Sequence, residues 1–150
     1  MNIVTRLFGE IGVDINKVIH FPSGIIGFEK YKQFMIIHDA EATATNIVWL
    51  QSLDEPDLAL PVINPLLVKP DYNPVVEDEL FKNIGELNED EGEMLVFVTM
   101  TVPPDITKIT CNLKAPIIIN PVTLRGCQII VENEDYLVKH PVYDALKKGE

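Results

Sequence analysis

The sequence has 150 residues, 47% of them hydrophobic and 23% charged, which is typical of one soluble globular domain and too apolar for a disordered chain. Acidic residues outnumber basic residues by 23 to 12, which gives a formal net charge of -11. Because nucleic acids and anionic membranes are bound through clustered Lys and Arg, this charge argues against both and favours a basic protein partner.

The composition favours strands over helices. Isoleucine, valine and threonine number 18, 15 and 8 against 6 alanines, and branching at Cβ suits a pleated strand better than a helix. The 11 prolines leave little room for long helices. We therefore predict a mainly β fold, a compact antiparallel β-barrel or sandwich with one short helix, in a single domain over residues 1–150.

The first local signal along the chain is the glycine-rich segment 21–28. Gly24 and Gly27 predict a turn with positive φ, flanked by packed aromatic residues. A phosphate-binding loop would need Lys followed by Ser or Thr, or a helix start, directly after the glycines, and neither is present. A short helical turn is predicted over residues 29–32.

Short apolar runs bounded by turn residues predict further strands. These five runs are 35–37, 47–50, 94–102, 117–119 and 128–132. Residues 58–68 are also apolar, but Pro61 and Pro65 predict an edge strand or a bent strand there. Residues 107–114 alternate between apolar and polar side chains, which predicts a strand with one buried face formed by Ile109, Cys111 and Leu113.

One helix is predicted, in the acidic segment that follows Pro74. Apolar residues recur there at helical spacing, at Val76, Leu80, Ile84 and Leu87. The carboxylates of Glu77, Asp78 and Glu79 would lie at its N-terminus, where negative charge is favourable. The acidic run 86–93 lacks the alternating Asp and Asn pattern of a calcium site, so it predicts a solvated loop.

Residues with catalytic or metal-binding chemistry are scattered along the chain. His20, His38 and His140 are not in a metal-ligand spacing, so we expect no metal or cofactor. One alternative function is a small enzyme whose Asp54, Asp57 and His140 are brought together by the fold for acid-base catalysis. A second alternative is a β-barrel that binds a small ligand in a deep apolar pocket.

The sequence also indicates where the protein works. The longest stretch without a charged residue, 42–53, is too short for a membrane-spanning helix, which needs about 20 residues. Arg6 and Glu10 lie where a secretion signal would be apolar. Cys111 and Cys127 are isolated, which predicts reduced, packed thiols rather than a disulfide. We therefore expect a cytoplasmic protein.

Several motifs follow one another in a distinctive order. They are Phe21-Pro22-x-Gly24-Ile25-x-Gly27-Phe28-Glu29, Trp49-Leu50-Gln51-Ser52, Asp54-x-Pro56-Asp57-Leu58, Asn64-Pro65, Pro70-Asp71-Tyr72, Asn112-Leu113-Lys114-Ala115-Pro116-Ile117-Ile118-Ile119-Asn120-Pro121, Arg125-Gly126-x-Gln128 and His140-Pro141. In their order and spacing these motifs resemble the FliW family of flagellar assembly factors, from about Phe8 to His140. One departure is Cys127, at a position where a more ordinary residue is expected.

The resemblance implies a small β-barrel-like fold without catalytic activity, and two protein partners. One partner is newly made flagellin, for which FliW-like proteins act as a chaperone. The other is CsrA, the dimeric RNA-binding repressor of flagellin translation. Flagellin in the cytoplasm holds the factor, export of flagellin frees it, and the free factor removes CsrA from the messenger RNA. We expect the same partners here, no direct contact with nucleic acid or membrane, and a monomer when free.

Candidate contact residues are the motif members with polar or aromatic side chains that could be exposed. They are Phe28, Gln51, Asp57, Asp71, Tyr72, Asn112, Arg125 and Gln128. For Asn112 and Gln128, hydrogen bonding to nearby backbone is an equally good interpretation. A further set of acidic residues is expected to repel RNA from CsrA, namely Glu77, Asp78, Glu79, Glu89, Asp90 and Glu91. Because a chain of 150 residues has limited surface, we expect flagellin and CsrA to compete.

Overall fold

The computed structural model describes residues 2–38, 48–74, 84–85 and 93–144, and β-strands form most of their regular structure. The strands are β1 (Asn2–Thr5), β2 (Gly9–Gly12), β3 (Ile19–His20), β4 (Gln33–His38), β5 (Val48–Ser52), β6 (Ala59–Ile63), β7 (Leu95–Thr101), β8 (Thr110–Cys111), β9 (Ile117–Asn120), β10 (Arg125–Gln128) and β11 (His140–Pro141). Short 3-10 helices cover Ile15–Lys17, Pro65–Leu67 and Ile106–Lys108. Within these ranges, no helix has the length and apolar character needed to span a membrane.

The central feature is a closed barrel of seven strands. Around the barrel the strands follow the order β7, β6, β5, β4, β3, β10 and β9. β9 also pairs with β7, which closes the ring. Neighbouring strands are antiparallel except β3 and β10, which run parallel and are in register at His20 and Arg125. β8 and β11 extend the sheet from the C-terminal end of β7. The predicted mainly β, barrel-like fold is therefore confirmed.

Two hydrophobic cores lie on opposite faces of the same strands. The barrel interior is filled by nine buried residues, namely Ile19, Phe21, Ile25, Phe34, Val48, Leu50, Val62, Ile117 and Ile119. The outer core contains Ile63, Val98 and Ile118, which alternate with interior residues on β6, β7 and β9. Because these strands are buried on both faces, their sequences are continuously apolar instead of alternating.

An N-terminal hairpin formed by β1 and β2 packs on the outside of the barrel, and the sequence did not predict it. The hairpin forms a sheet of its own, with Ile3 opposite Ile11. Its Phe8 ring meets Trp49 of β5 edge to face, with ring centroids 5.9 Å apart. Trp49 is therefore half-buried on the outer face of the barrel, beneath the hairpin.

The segment 107–114 has the predicted buried face, but it is not one long strand. Asp105 caps a 3-10 turn at Ile106–Lys108, because its Oδ1 accepts hydrogen bonds from the backbone N and Oγ1 of Thr107. The chain turns again at Asn112, so β8 has only two residues. Turn-forming side chains at both ends overrode the alternating pattern.

The segment 58–68 contains an interior strand, where an edge strand or a bent strand was predicted. β6 lies between β5 and β7, and ends before the 3-10 helix at Pro65–Leu67. Pro61 is tolerated because the ladder with β7 begins only at Val62, so the missing N–H of Pro61 costs no hydrogen bond on that edge.

Two other predictions need correction or fall outside the described residues. The strand predicted over 128–132 begins and ends earlier, as β10 at Arg125–Gln128, although Ile129 and Val131 still donate backbone hydrogen bonds to Pro116 and Lys114. The predicted helix after Pro74 lies outside the described residues except for Ile84 and Gly85. The fully buried Ile84 belongs to the outer core.

Candidate partner-binding surface

The glycine-rich loop between β3 and β4 has the predicted turn geometry. Gly24 and Gly27 have φ of 71° and 88°, and a Cβ on Gly24 would lie 2.5 Å from Glu29 Cα. The Glu29 carboxylate accepts a hydrogen bond from the Gly27 N–H, which lowers the pKa of Glu29. Phe28 is half-buried and packs against the core of the barrel interior, which holds the loop in place.

The amides of Gln128 and Asn112 are used by the backbone. Gln128 Oε1 accepts from the Ile26 N–H at 2.8 Å, and its Nε2 donates to the Ala115 carbonyl at 2.9 Å. Asn112 Oδ1 accepts from the Lys114 N–H at 3.0 Å. Gln128 thus connects the glycine-rich loop to β10. For both side chains, these contacts support hydrogen bonding to nearby backbone, the alternative to a partner contact.

Gln51 was selected as a candidate whose side chain could be exposed, but it is completely buried. Its Nε2 lies within hydrogen-bonding distance of the carbonyls of Ser52, Pro56 and Leu58, at 2.9, 3.0 and 3.1 Å. These contacts hold the turn between β5 and β6. Its Oε1 is buried and has no hydrogen-bond partner among the described residues.

Tyr72, another candidate that could have been exposed, is also buried. Its hydroxyl donates to the Leu113 carbonyl at 2.7 Å, its ring packs against Tyr136 with centroids 4.6 Å apart, and burial raises the pKa of Tyr72. The neighbouring Asp71 is exposed and pairs with Lys69 at 3.3 Å. Of these two candidates, only Asp71 has its side chain on the surface.

Asp57 and Arg125 are the other exposed candidates, and they lie in different places. Asp57 lies in the turn before β6, and its backbone carbonyl accepts a hydrogen bond from Arg6 Nε of the hairpin at 3.1 Å. Arg125 begins β10, at the parallel junction of β3 and β10. The eight predicted residues therefore do not form one continuous surface patch.

The structure places two residues that the sequence analysis did not select next to Arg125. His20 and Lys32, together with Phe21 and Pro22, line a surface depression of about 390 Å³ with Arg125. We call this site the cationic depression. His20 and Arg125 are joined only by strand pairing between distant segments, so no local sequence pattern could have revealed the site.

A second cavity is an open apolar groove of about 470 Å³. Its lining includes Pro65, Leu66, Tyr72, Phe97 and Ile118. It lies on the outside of the barrel, whereas the interior is filled by side chains. A barrel that binds a small molecule would instead hold its ligand in a deep interior pocket, whereas nine buried side chains pack inside this one.

The residues of the enzyme alternative are not brought together. Asp54 Oδ2 accepts backbone hydrogen bonds from Lys32 and Gln33, at 2.7 and 3.0 Å, and so positions the start of β4. His140 lies in β11, where burial and the charge of Lys69 lower its pKa. Three strands separate β11 from β5, which at about 4.8 Å per strand places His140 far from Asp54.

The two cysteines and the acidic candidates complete the set of residues that the sequence singled out. Cys111 and Cys127 are both free, and burial raises the pKa of Cys111 to about 12 and also raises the pKa of Cys127. No group of three or more His, Cys, Asp or Glu side chains suited to a metal ion occurs among the residues described. The acidic candidates lie outside the described residues, namely Glu77, Asp78, Glu79, Glu89, Asp90 and Glu91.

Comparison with known proteins gives a consistent result over nearly the whole chain. The family described as "FliW protein" matches residues 2–142. The flagellar assembly factor FliW of Lachnospira eligens is 50% identical over 151 residues, covering 100% of this chain and 99% of the relative. The protein of the same name from Lachnoclostridium phytofermentans is 48% identical, covering 96% and 92%.

The fold is similar to a solved structure as well. A crystal structure of the flagellar assembly factor FliW superimposes with a TM-score of 0.84 at 30% sequence identity. The match covers 95% of this chain and 96% of that one. Sequence and fold therefore agree on the same family.

Proposed function

The chain belongs to the FliW family of flagellar assembly factors, and from this membership we propose that it is a cytoplasmic regulator and chaperone without catalytic activity. It binds newly made flagellin. When flagellin is exported, the freed protein binds the translational repressor CsrA and relieves the repression of flagellin messenger RNA. Flagellin level is thereby coupled to flagellin synthesis.

Family membership over residues 2–142 is the observation that carries this proposal. The charge of the chain supports it, because a net charge of -11 complements a repressor that must present cations to RNA phosphates. The separation of Asp54 from His140 is also consistent with a binding protein, since a catalytic site would need such groups within reach of one substrate.

Charge also suggests how an acidic protein removes a repressor from RNA. It either occupies the RNA-binding surface as a mimic, or docks beside that surface and repels the RNA backbone. The family resemblance favours the second mode, and the sequence is compatible with it, because the acidic residues are spread along the sequence. Opposite charges would also accelerate encounter with CsrA, and added salt would slow it.

The accessible surface of 9243 Å² bears on how the two partners exclude each other. A standard interface covers about 800 Å² on each partner, so the surface has room for two separate interfaces. Small size alone therefore does not force the two partners to compete. Competition requires that the two footprints overlap or that binding of one partner changes the other site.

The decisive experiment is a titration of purified flagellin into a preformed complex of this protein with CsrA. We expect CsrA to be released in proportion to the flagellin bound. Size-exclusion chromatography with light scattering identifies the species present. A stable complex containing all three proteins would rule out simple competition, and failure to bind either protein would rule out the proposed function.

A further inference from the structure

We propose that the cationic depression binds a carboxylate of a protein partner, and that this partner is flagellin. The identity of the partner rests on the proposed function. The depression itself is defined by its own geometry, which brings Arg125, Lys32 and the imidazole of His20 to one concave surface beside Pro22.

Strand pairing holds these groups together. His20 of β3 is in register with Arg125 of β10 on one side and with Gln33 of β4 on the other. Lys32 directly precedes Gln33, and its carbonyl accepts a hydrogen bond from the Phe21 N–H at 2.8 Å. Three neighbouring segments of the barrel therefore supply the polar groups, so the site does not depend on one mobile loop.

The charged groups of the depression are free to take a ligand. In the described ranges, neither Arg125 nor Lys32 forms an ion pair, although the chain has many more acidic than basic residues. Two carboxylates interact with Lys32: Asp54 accepts a hydrogen bond from its backbone N–H, and the charge of Lys32 helps to lower the pKa of Glu29, whose carboxylate accepts from the Gly27 N–H. They offset part of the Lys32 charge, so Arg125 is the principal ligand-binding group.

The backbone before Arg125 is held in an unfavourable conformation. Leu124 has φ of 55°, and it is the only non-glycine residue with positive φ among those described. Its carbonyl accepts from the His20 N–H at 2.9 Å, and its N–H donates to the Asn120 carbonyl at 2.9 Å. Such conformations persist where the surrounding contacts enforce them. Here the two hydrogen bonds of Leu124 fix the backbone conformation from which the Arg125 side chain projects.

The chemistry of the site favours a carboxylate on a protein over a nucleic acid. A guanidinium matches the two oxygens of a carboxylate with two parallel hydrogen bonds. A phosphate backbone would also fit one Arg, but binding along a nucleic acid needs many cations, and the net charge of -11 repels a long polyanion.

The sign of the charge also separates the two proposed partners. CsrA must present a cationic surface to RNA, so that surface is repelled by the depression and attracted to the acidic remainder of the chain. The carboxylate is therefore assigned to flagellin. The depression covers a small part of a standard interface, so the footprints of the two partners can still overlap outside it.

Charge reversal within the depression tests the proposal. We expect Arg125→Glu to weaken flagellin binding by about tenfold, and Arg125→Glu combined with Lys32→Glu to weaken it further, while CsrA affinity changes by less than about twofold. The matched control is Lys139→Glu, which makes the same charge change at an exposed lysine before β11. Isothermal titration calorimetry with each purified partner gives the affinities.

Further variants keep the result interpretable. Arg125→Lys retains the charge but loses the paired hydrogen bonds, so we expect a partial loss of flagellin affinity. This variant tests the proposal even if Arg125→Glu does not fold. The proposal is overturned by unchanged flagellin binding, by an equal loss in Lys139→Glu, or by an equal loss for CsrA. If the wild-type protein binds flagellin messenger RNA and the Arg125→Glu variant does not, the depression is a nucleic-acid site instead. If the wild-type protein does not bind flagellin, the proposed function fails first.

Discussion

The ring of Phe21 occupies the space that a side chain on Gly126 would need: an added Cβ would lie 2.5 Å from Phe21 Cε1. Phe21 is fully buried in the barrel interior, next to the parallel junction of β3 and β10. The glycine of the Arg-Gly-x-Gln motif is therefore required by packing, and the motif combines a structural glycine with an exposed arginine.

Gly126→Ala should destabilise the protein by about 1–3 kcal/mol, because the Phe21 ring must move within a filled core. The control is Gly12→Ala, where the new Cβ would meet only Asn2 Oδ1, at 3.6 Å. Denaturant unfolding curves measure both changes. Equal stability of the two variants would contradict this account of the motif.

Gln51→Glu should cost about 2–4 kcal/mol of stability at neutral pH, because it removes the Nε2 donor and buries a charge. Burial should raise the pKa of the new carboxyl, so the folded state would bind its proton at higher pH than the unfolded state does. The loss of stability should therefore diminish as the pH is lowered towards 5, which unfolding curves at several pH values can measure. A loss that is independent of pH would contradict a buried carboxylate.

Tyr72→Phe should lower stability by about 1 kcal/mol, because the Leu113 carbonyl loses a 2.7 Å hydrogen bond while the ring contact with Tyr136 is kept. Tyr31→Phe is a suitable control, since its hydroxyl makes no hydrogen bond with another described residue. The same variants can be tested for CsrA and flagellin binding. A large loss of affinity in a stable Tyr72→Phe protein would restore Tyr72 as a contact residue.

Cys111 and Cys127 should react slowly with a thiol reagent in the folded protein, because burial raises the pKa of each thiol and so disfavours the reactive thiolate. Cys111 is buried and Cys127 is half-buried, so Cys127 should react first. Absorbance on reaction with a chromogenic disulfide follows the rates, and mass spectrometry assigns the site. Both thiols should react rapidly after unfolding; rapid reaction of Cys111 in the native state would contradict its burial.

Replacing Glu89, Asp90 and Glu91 by their amides should reduce release of RNA from CsrA more than it reduces binding to CsrA, and adding the same change at Glu77, Asp78 and Glu79 should increase the effect. Single exposed charges contribute little, so only grouped changes are informative. The control group is Glu132, Glu134 and Asp135, which are exposed after β10. Equal RNA release by wild type and variants at low and high salt would exclude repulsion by these segments.

The sequence predicted the fold class and most strand positions because strands are signalled locally, by alternating or continuous apolar residues bounded by turns. It missed the hairpin of β1 and β2, whose strands are short and pair outside the barrel. Alternation at residues 107–114 correctly gave the buried face, but the capping by Asp105 and the turn at Asn112 shortened the strand.

Prediction of the site was weaker, because motif membership does not separate contact residues from structural ones. Gln51 and Tyr72 are polar or aromatic residues in motifs, yet both are buried, and Gln51 Nε2 and the Tyr72 hydroxyl contact backbone carbonyls. Of the residues in the cationic depression, only Arg125 was selected from the sequence, because the pairing of β3 with β10 depends on the whole fold.

The parallel junction also has a consequence for folding during synthesis. The glycine-rich loop is fastened to β10 by the hydrogen bond between Ile26 and Gln128, which are 102 residues apart. β3 therefore cannot acquire this neighbour until nearly the whole chain has left the ribosome, and contacts of such separation slow folding. Until then the edge of β3 that β10 later covers is open to pairing with other chains, so aggregation of nascent protein should be most frequent before the last strands emerge.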